Sequence, residues 1–176
     1  MPPGFTTRIF VLGDARTGTT SVHHWFLSAN VPSIHYYIKE AEQLEPVHKH
    51  RGPNWDRLRQ FIDSSPYQAF SDYPTRIFFR ELMQCYREAK FILTRRRDTE
   101  TWLRSMRSYF PGVPLDLAML ESYYVCLNEE IRSYAEFYNV AFMELCIDDE
   151  SSVNAKLLGD FVGLSDPPEL GRYNRS

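Results

Sequence analysis

The run Arg8-Ile9-Phe10-Val11-Leu12-Gly13-Asp14-Ala15-Arg16-Thr17-Gly18-Thr19-Thr20-Ser21 constrains this chain more than any other stretch. A short apolar segment, Ile9 to Leu12, breaks into a loop bounded by Gly13 and Gly18, and a helix-compatible segment with Val22, Trp25, Phe26 and Leu27 follows at once. That is the layout of strand, phosphate loop and helix. Glycines let the backbone turn its N–H groups inward, the helix N-terminus adds the positive end of its dipole, and the hydroxyls of Thr17, Thr19 and Thr20 offer further donors. An anion belongs there. Set against G-x-x-x-x-G-K-[ST], Gly13 and Gly18 fill the glycine positions and Thr20 the hydroxyl position, but Thr19 stands where the lysine belongs. A triphosphate with its magnesium would sit there under-compensated. Arg16 instead supplies a planar cation able to fork onto a single phosphate or the bridging oxygen beside it. The loop alone also fits an ordinary strand-to-helix turn capped by threonine.

At 176 residues the chain suits a single domain, 1–176, and 43% hydrophobic residues suffice for a real core. A net charge of −3 excludes a broad nucleic-acid-binding face, so any cationic function must be local, as at Arg16 or Arg95-Arg96-Arg97. Cys85, Cys126 and Cys146 are odd in number and lack metal-like spacing, which is the usage of a reducing, cytoplasmic compartment. No apolar run approaches a membrane span, so a soluble protein with no membrane partner is expected.

Hydrophobic periodicity orders the rest of the chain. The loop helix ends near Asn30, and Val31 to Tyr37 reads as a short extended segment, at a strand start or sheet edge because of Pro32. Residues 39–53 are polar and read as a loop or loose helix near the ligand cleft; His48 and His50 within it lack a third metal ligand. Trp55, Leu58, Phe61 and Ile62 predict an amphipathic helix over 54–63. Gln68 to Pro74 reads as a short strand ending in Asp72, and 75–88 as a helix with Ile77, Phe78, Leu82, Met83 and Tyr86 inward. Lys90 to Thr94 is a buried strand running into the arginines. Helices follow to about Tyr109 and over 115–138, the latter with Leu117, Leu120, Tyr124, Leu127, Ile131 and Tyr134 on one face. Val140 to Leu145 is the last strand, and a final helix carrying Val153, Leu157, Leu158, Phe161 and Val162 stops at Gly163. Strands alternating with helices predict a three-layer α/β domain of the P-loop type, with a parallel sheet of about four to five strands.

Ligands in such sheets bind beyond the carboxyl ends of the strands, where Arg97 and, eight residues later, Ser105 form a second candidate anion site. A nucleotide with phosphates at both ends of its ribose would bridge the two. Taken alone, the arginines also read as a solvated charge run.

With both constellations in view, the chain resembles the sulfotransferases that use 3′-phosphoadenosine 5′-phosphosulfate. Arg16-Thr17-Gly18-Thr19-Thr20 is similar to their 5′-phosphosulfate loop, and Arg97 with Ser105 to their 3′-phosphate motif, which has the same spacing. Ala89 to Thr94, Arg97-Asp98, Trp102 and Ser105 together are especially similar to a bacterial and metazoan branch. Leu157 to Leu164, Asp166-Pro167-Pro168 and Asn174 are similar to the family's last helix and proline-rich tail. The resemblance implies metal-free, in-line transfer of a sulfuryl group to a hydroxyl or amine of a small-molecule or sugar acceptor, leaving adenosine 3′,5′-bisphosphate. It implies that Arg16, Thr17, Gly18, Thr19, Thr20 and Ser21 surround the 5′ end of the donor, that Arg97 and Ser105 hold its 3′-phosphate, and that Arg16 stabilises the leaving group. Asp72 stands where soluble members carry a catalytic histidine before a proline-containing turn, and is the expected general base, with His35, Glu40 and Glu42 as alternatives.

This chain departs from the family in being short where the acceptor pocket is normally built. Arg16 stands for the lysine of the soluble eukaryotic members. Ser21 stands where a tryptophan often stacks on adenine, so Trp102 or another aromatic would have to serve. Two alternatives stay open: a domain that binds the donor or its product without turnover, and a small-molecule or nucleotide kinase. The sequence leaves the oligomeric state undetermined.

Overall fold

The computed structural model describes residues 7–37 and 54–173. Five parallel strands form one sheet: β1 (Ile9–Val11), β2 (Ser33–His35), β3 (Ala69–Ser71), β4 (Lys90–Arg95) and β5 (Ala141–Cys146), in the spatial order β2-β3-β1-β4-β5. The six helices among the described residues are α1 (Thr19–Ser28), α2 (Trp55–Ser64), α3 (Phe79–Cys85), α4 (Thr99–Tyr109), α5 (Leu117–Tyr138) and α6 (Ser151–Val162). This is the expected α/β architecture.

Central β1 pairs with β3 on one side and β4 on the other, putting Phe10 opposite both Phe70 and Phe91. The three rings stack at centroid distances of 5.6 and 5.4 Å. They lead one apolar layer, with Leu12, Leu58, Ile62, Phe79, Leu82 and Ile131. The alternate residues Ile9, Val11, Ala69 and Ile92 face the other layer, where Val22, Trp25, Phe26, Leu158 and Val162 pack. Period-two alternation on short strands between two helical layers therefore accounts for the three-layer build. The order of connections switches sides at β1, with β2 and β3 on one flank and β4 and β5 on the other, so its carboxyl end opens a crevice between β3 and β4.

Two helical expectations need correction. The helix expected over 75–88 covers only Phe79–Cys85, and Ile77 is exposed. After β3 the Asp72 side chain accepts a 2.7 Å hydrogen bond from the Tyr73 N–H, and the Arg76 and Ile77 N–H groups close turns onto the Asp72 and Pro74 carbonyls. Such side-chain bonds give the backbone an alternative to the helix. In α6, Val153 and Leu157 face solvent, whereas Asn154, Ala155 and Gly159 join Leu158 and Val162 inside. Gly159 is the reason the tail lies so close, since a Cβ there would come within 2.8 Å of Pro167.

Candidate functional site

The crevice is a cleft of about 790 Å³ whose lining includes Arg16, Gly18, Thr20, His35, Asp72, Arg76, Arg96 and Tyr173. One wall is the loop after β1. Gly13 lets it run tight against β4, because a Cβ at that position would overlap Thr94 and come within 2.7 Å of its carbonyl oxygen. Thr17 is fully buried; its hydroxyl donates to the Asp14 carbonyl at 2.6 Å and lies 2.9 Å from the Thr94 hydroxyl. The side chain of Thr17 thus braces the loop from inside, and its own N–H closes onto the same Asp14 carbonyl at 3.3 Å. Gly18 takes a left-handed φ of 88° at the start of α1, which has no side-chain cap and no acidic residue in its first turn. The positive end of the α1 dipole is left for whatever occupies the cleft.

Arg16 joins the two sequence motifs. With a positive φ of 67°, it points its Nε at the Ser105 hydroxyl, 3.1 Å away, and its guanidinium lies 4.9 Å from the centroid of the Tyr109 ring. Ser105 is buried on α4, in contact with Arg16. Trp102 is also buried, donating from its indole N–H to the Ala15 carbonyl at 2.9 Å and stacking on Tyr124 at 4.3 Å. It supports the loop from behind and is not placed to stack on a base in the cleft. The three arginines after β4 part company. Arg96 lines the cleft, grips Asp148 through Nε and Nη2, and reaches the Arg16 carbonyl at 3.4 Å. Arg95 pairs with Glu144, which also takes Arg132. Arg97 is exposed, with its backbone N–H donating to Asp148, and lines a separate surface recess with Arg95 and Arg132.

The opposite wall comes from the ends of β2 and β3. His35 Nε2 lies 3.2 Å from the Thr20 hydroxyl and 3.5 Å from an Asp72 carboxylate oxygen, and its Nδ1 lies 3.0 Å from the Ser71 hydroxyl. Burial and the neighbouring His24 pull the His35 pKa down to about 4. His23, bonded to Ser33 and stacked on His35 at 5.4 Å, is likewise lowered to about 4 by burial and the adjacent histidines. Asp72 takes a positive φ of 65°, and burial raises its carboxyl above the ordinary range. Beside it Arg76 forms an ion pair with buried Asp14, tying the turn after β3 to the loop after β1.

Sequence reasoning missed Arg76 and Tyr173, and named Arg96 only as part of the arginine run, with motif register favouring Arg97. Tyr173 stacks on His24 at 4.2 Å and donates its N–H to the Ser21 hydroxyl at 3.1 Å, which brings the chain's tail to the cleft rim. No local pattern marks Arg76 or Tyr173; only the fold brings them to the cleft. Glu40, Glu42, His48 and His50 lie outside the described residues. Among the described residues, no group of three or more acidic, histidine or cysteine side chains is placed to hold a metal, and no helix is long and apolar enough to cross a membrane.

A parallel sheet, an uncapped helix behind a glycine-bounded loop and an arginine in that loop define a P-loop-type α/β fold that lacks the loop lysine. A family model described as a sulfotransferase domain matches residues 8–159, and the chain belongs to that family. No curated protein sequence matches it. Among solved structures it is similar to shikimate kinase from Bacteroides thetaiotaomicron, at 18% identity and a TM-score of 0.57 over 90% of this chain and 99% of that one. It is similar also to the YorR protein of Bacillus subtilis, solved in complex with phosphorylated GDP, at 14% identity and a TM-score of 0.57 over 90% of this chain and 96% of that one. At these identities the likeness is one of fold.

Proposed function

We propose that this chain is an enzyme that transfers a sulfuryl group from 3′-phosphoadenosine 5′-phosphosulfate to a hydroxyl or amine of a small-molecule or sugar acceptor, by in-line displacement without a metal. The observation that carries this reading is the 3.1 Å contact between Arg16 and Ser105, which makes one site of two motifs 89 residues apart. In that site the α1 N-terminus, the loop N–H groups and Thr20 hold the 5′-phosphate. Arg16 faces the bridging oxygen, where negative charge grows as the sulfur–oxygen bond breaks; a preorganised cation there lowers the barrier. Arg97 and Ser105 are the motif pair for the 3′-phosphate, and Arg96 is the neighbouring arginine whose side chain lines the cleft. The acceptor's proton leaves toward the wall that carries Asp72 and His35.

Calorimetric titration with adenosine 3′,5′-bisphosphate, beside magnesium-ATP and 5′-AMP, tests the reading. Selective binding of the bisphosphate without metal is expected. Preference for magnesium-ATP would move the protein to the kinases, and bisphosphate binding without turnover on any acceptor would leave a binding domain.

A further inference from the structure

The Ser71 hydroxyl has one proton, and it donates that proton to the Ile34 carbonyl at 3.2 Å. With that proton on Ile34 the hydroxyl accepts from His35 Nδ1, 3.0 Å away, the tautomer that protonates Nδ1 and leaves the Nε2 lone pair facing the cleft. Nε2 meets the Thr20 hydroxyl at 3.2 Å, and in this tautomer Thr20 is the donor. Thr20 also stands at the start of α1, in the lining of the cleft where the functional reading puts the 5′-phosphate. A proton that it donates to the imidazole is not available to the anion.

We propose that donor binding arms His35: the 5′-phosphate draws the Thr20 hydroxyl proton to itself, frees the Nε2 lone pair, and turns His35 into the group that takes the acceptor's proton. This inference rests on the functional reading above and assigns its proton step. As the acceptor oxygen or nitrogen bonds to sulfur, its proton passes to His35 Nε2. The bond from sulfur to the bridging oxygen breaks, and its electron pair leaves on the 5′-phosphate. Asp72, 3.5 Å from Nε2, balances the imidazolium until the proton passes to solvent. Before the donor arrives, Nε2 is occupied, which couples proton removal to a filled donor site.

Among the described residues, the charged and titratable groups around His35 are His23 and His24 on α1, Asp72 and Arg76 after β3, and Arg16 across the cleft, with Tyr36 and Tyr73 in the same lining. His24 and burial hold His35 neutral in the free protein. A bound phosphate reverses that balance, because it adds negative charge and removes the hydrogen bond that favoured the neutral ring.

The test is nitrogen-15 NMR of the full chain labelled at histidine, with the His35 signals assigned from a His35→Gln sample. The ring is titrated with and without saturating adenosine 3′,5′-bisphosphate. Expected are a protonated Nδ1 in the free protein and an upward move of the His35 midpoint by about one pH unit or more on binding. The shift should persist in Thr20→Ser and shrink in Thr20→Val, with saturation checked by calorimetry for each variant. Bisphosphate that binds without moving His35, or that moves it equally in Thr20→Val, would overturn the arming step and leave the function standing. No bisphosphate binding by the wild-type chain would overturn both. In turnover assays His35→Gln should lose about 10²-fold or more in kcat with donor KM nearly unchanged, and an unchanged kcat would likewise overturn the proposal.

Discussion

The two walls of the cleft are built in opposite ways. The wall from the loop after β1 comes from one short run of sequence, Gly13 to Gly18, whose side chains bond within the loop, to Thr94 on β4, to Ser105 on α4 and to Arg76 across the cleft. The facing wall is gathered from β2, β3 and the turn beyond, and its working groups, His35, Asp72 and Arg76, meet only because the sheet places β2 beside β3. The first wall is a backbone device that tolerates little change of shape. The second is a set of ionisable side chains drawn together from separate elements.

The largest effect should come from the first wall. Gly13→Ala puts a methyl into Thr94 and Thr17, where backbone as well as side chain must give way. Overpacking of this kind costs about 1–3 kcal/mol or more, so the melting temperature should fall by several degrees and bisphosphate binding should be lost with it. A Gly13→Ala protein that melts and binds like wild type would show that the loop is softer than its contacts imply.

Arg16→Ala separates chemistry from shape on the same wall. Turnover should fall by about 10²- to 10³-fold, the cost of removing one preorganised charge at a developing oxyanion, while bisphosphate binding is partly kept. Asp72→Asn is its counterpart across the cleft. It should cost about 10²-fold in kcat with affinity for the bisphosphate unchanged and stability close to wild type. Equal loss of affinity in the two variants would mean that the walls are not functionally distinct.

Arg96 and Arg97 sharpen the same contrast at smaller scale. Arg96 lines the cleft and holds Asp148, so Arg96→Ala should weaken bisphosphate binding by about tenfold, as expected when a charge-assisted contact is lost. Arg97→Ala should weaken it less, because that side chain is exposed outside the cleft lining. The reverse order would give the 3′-phosphate to the residue that motif spacing favours.

This division also explains what could be read from the chain itself. Strand, loop and helix lie within one short run, and the anchor positions Gly13, Arg16, Gly18 and Thr20 are spaced by local geometry, so they are visible without a fold. Five alternating strands and their two-sided burial follow from periodicity for the same reason. Arg76 and Tyr173 carry no such mark: one is reached by a turn that replaces the expected first turn of a helix, the other by a tail that returns to α1. Trp102 was visible as an aromatic near a motif, but only packing against Tyr124 shows that it faces the core. The arginine run was readable as charge, while the directions of the Arg95 and Arg96 side chains are set by Glu144 and Asp148, about fifty residues further along the chain.

Acid should distinguish the walls with the smallest perturbation. Between Asp14 and Thr20 no histidine occurs, whereas His23 and His35 stand behind and within the facing wall. Both have folded pKa values of about 4, below the unfolded value near 6.5, so the unfolded chain binds more protons between those limits. Their contribution to stability is therefore complete above about pH 6.5, is lost as the pH falls toward 4, and changes little below. Asp72, raised by burial, acts in the opposite sense at the acid end of that window and softens the loss. Urea unfolding of wild type at pH 7, 5.5 and 4.5 should show a decline that is shallower in His23→Gln, with one fewer depressed histidine. Were the two slopes equal, His23 would titrate in the folded protein as it does unfolded, and its stacking on His35 would exert no hold on the protonation of the acceptor wall.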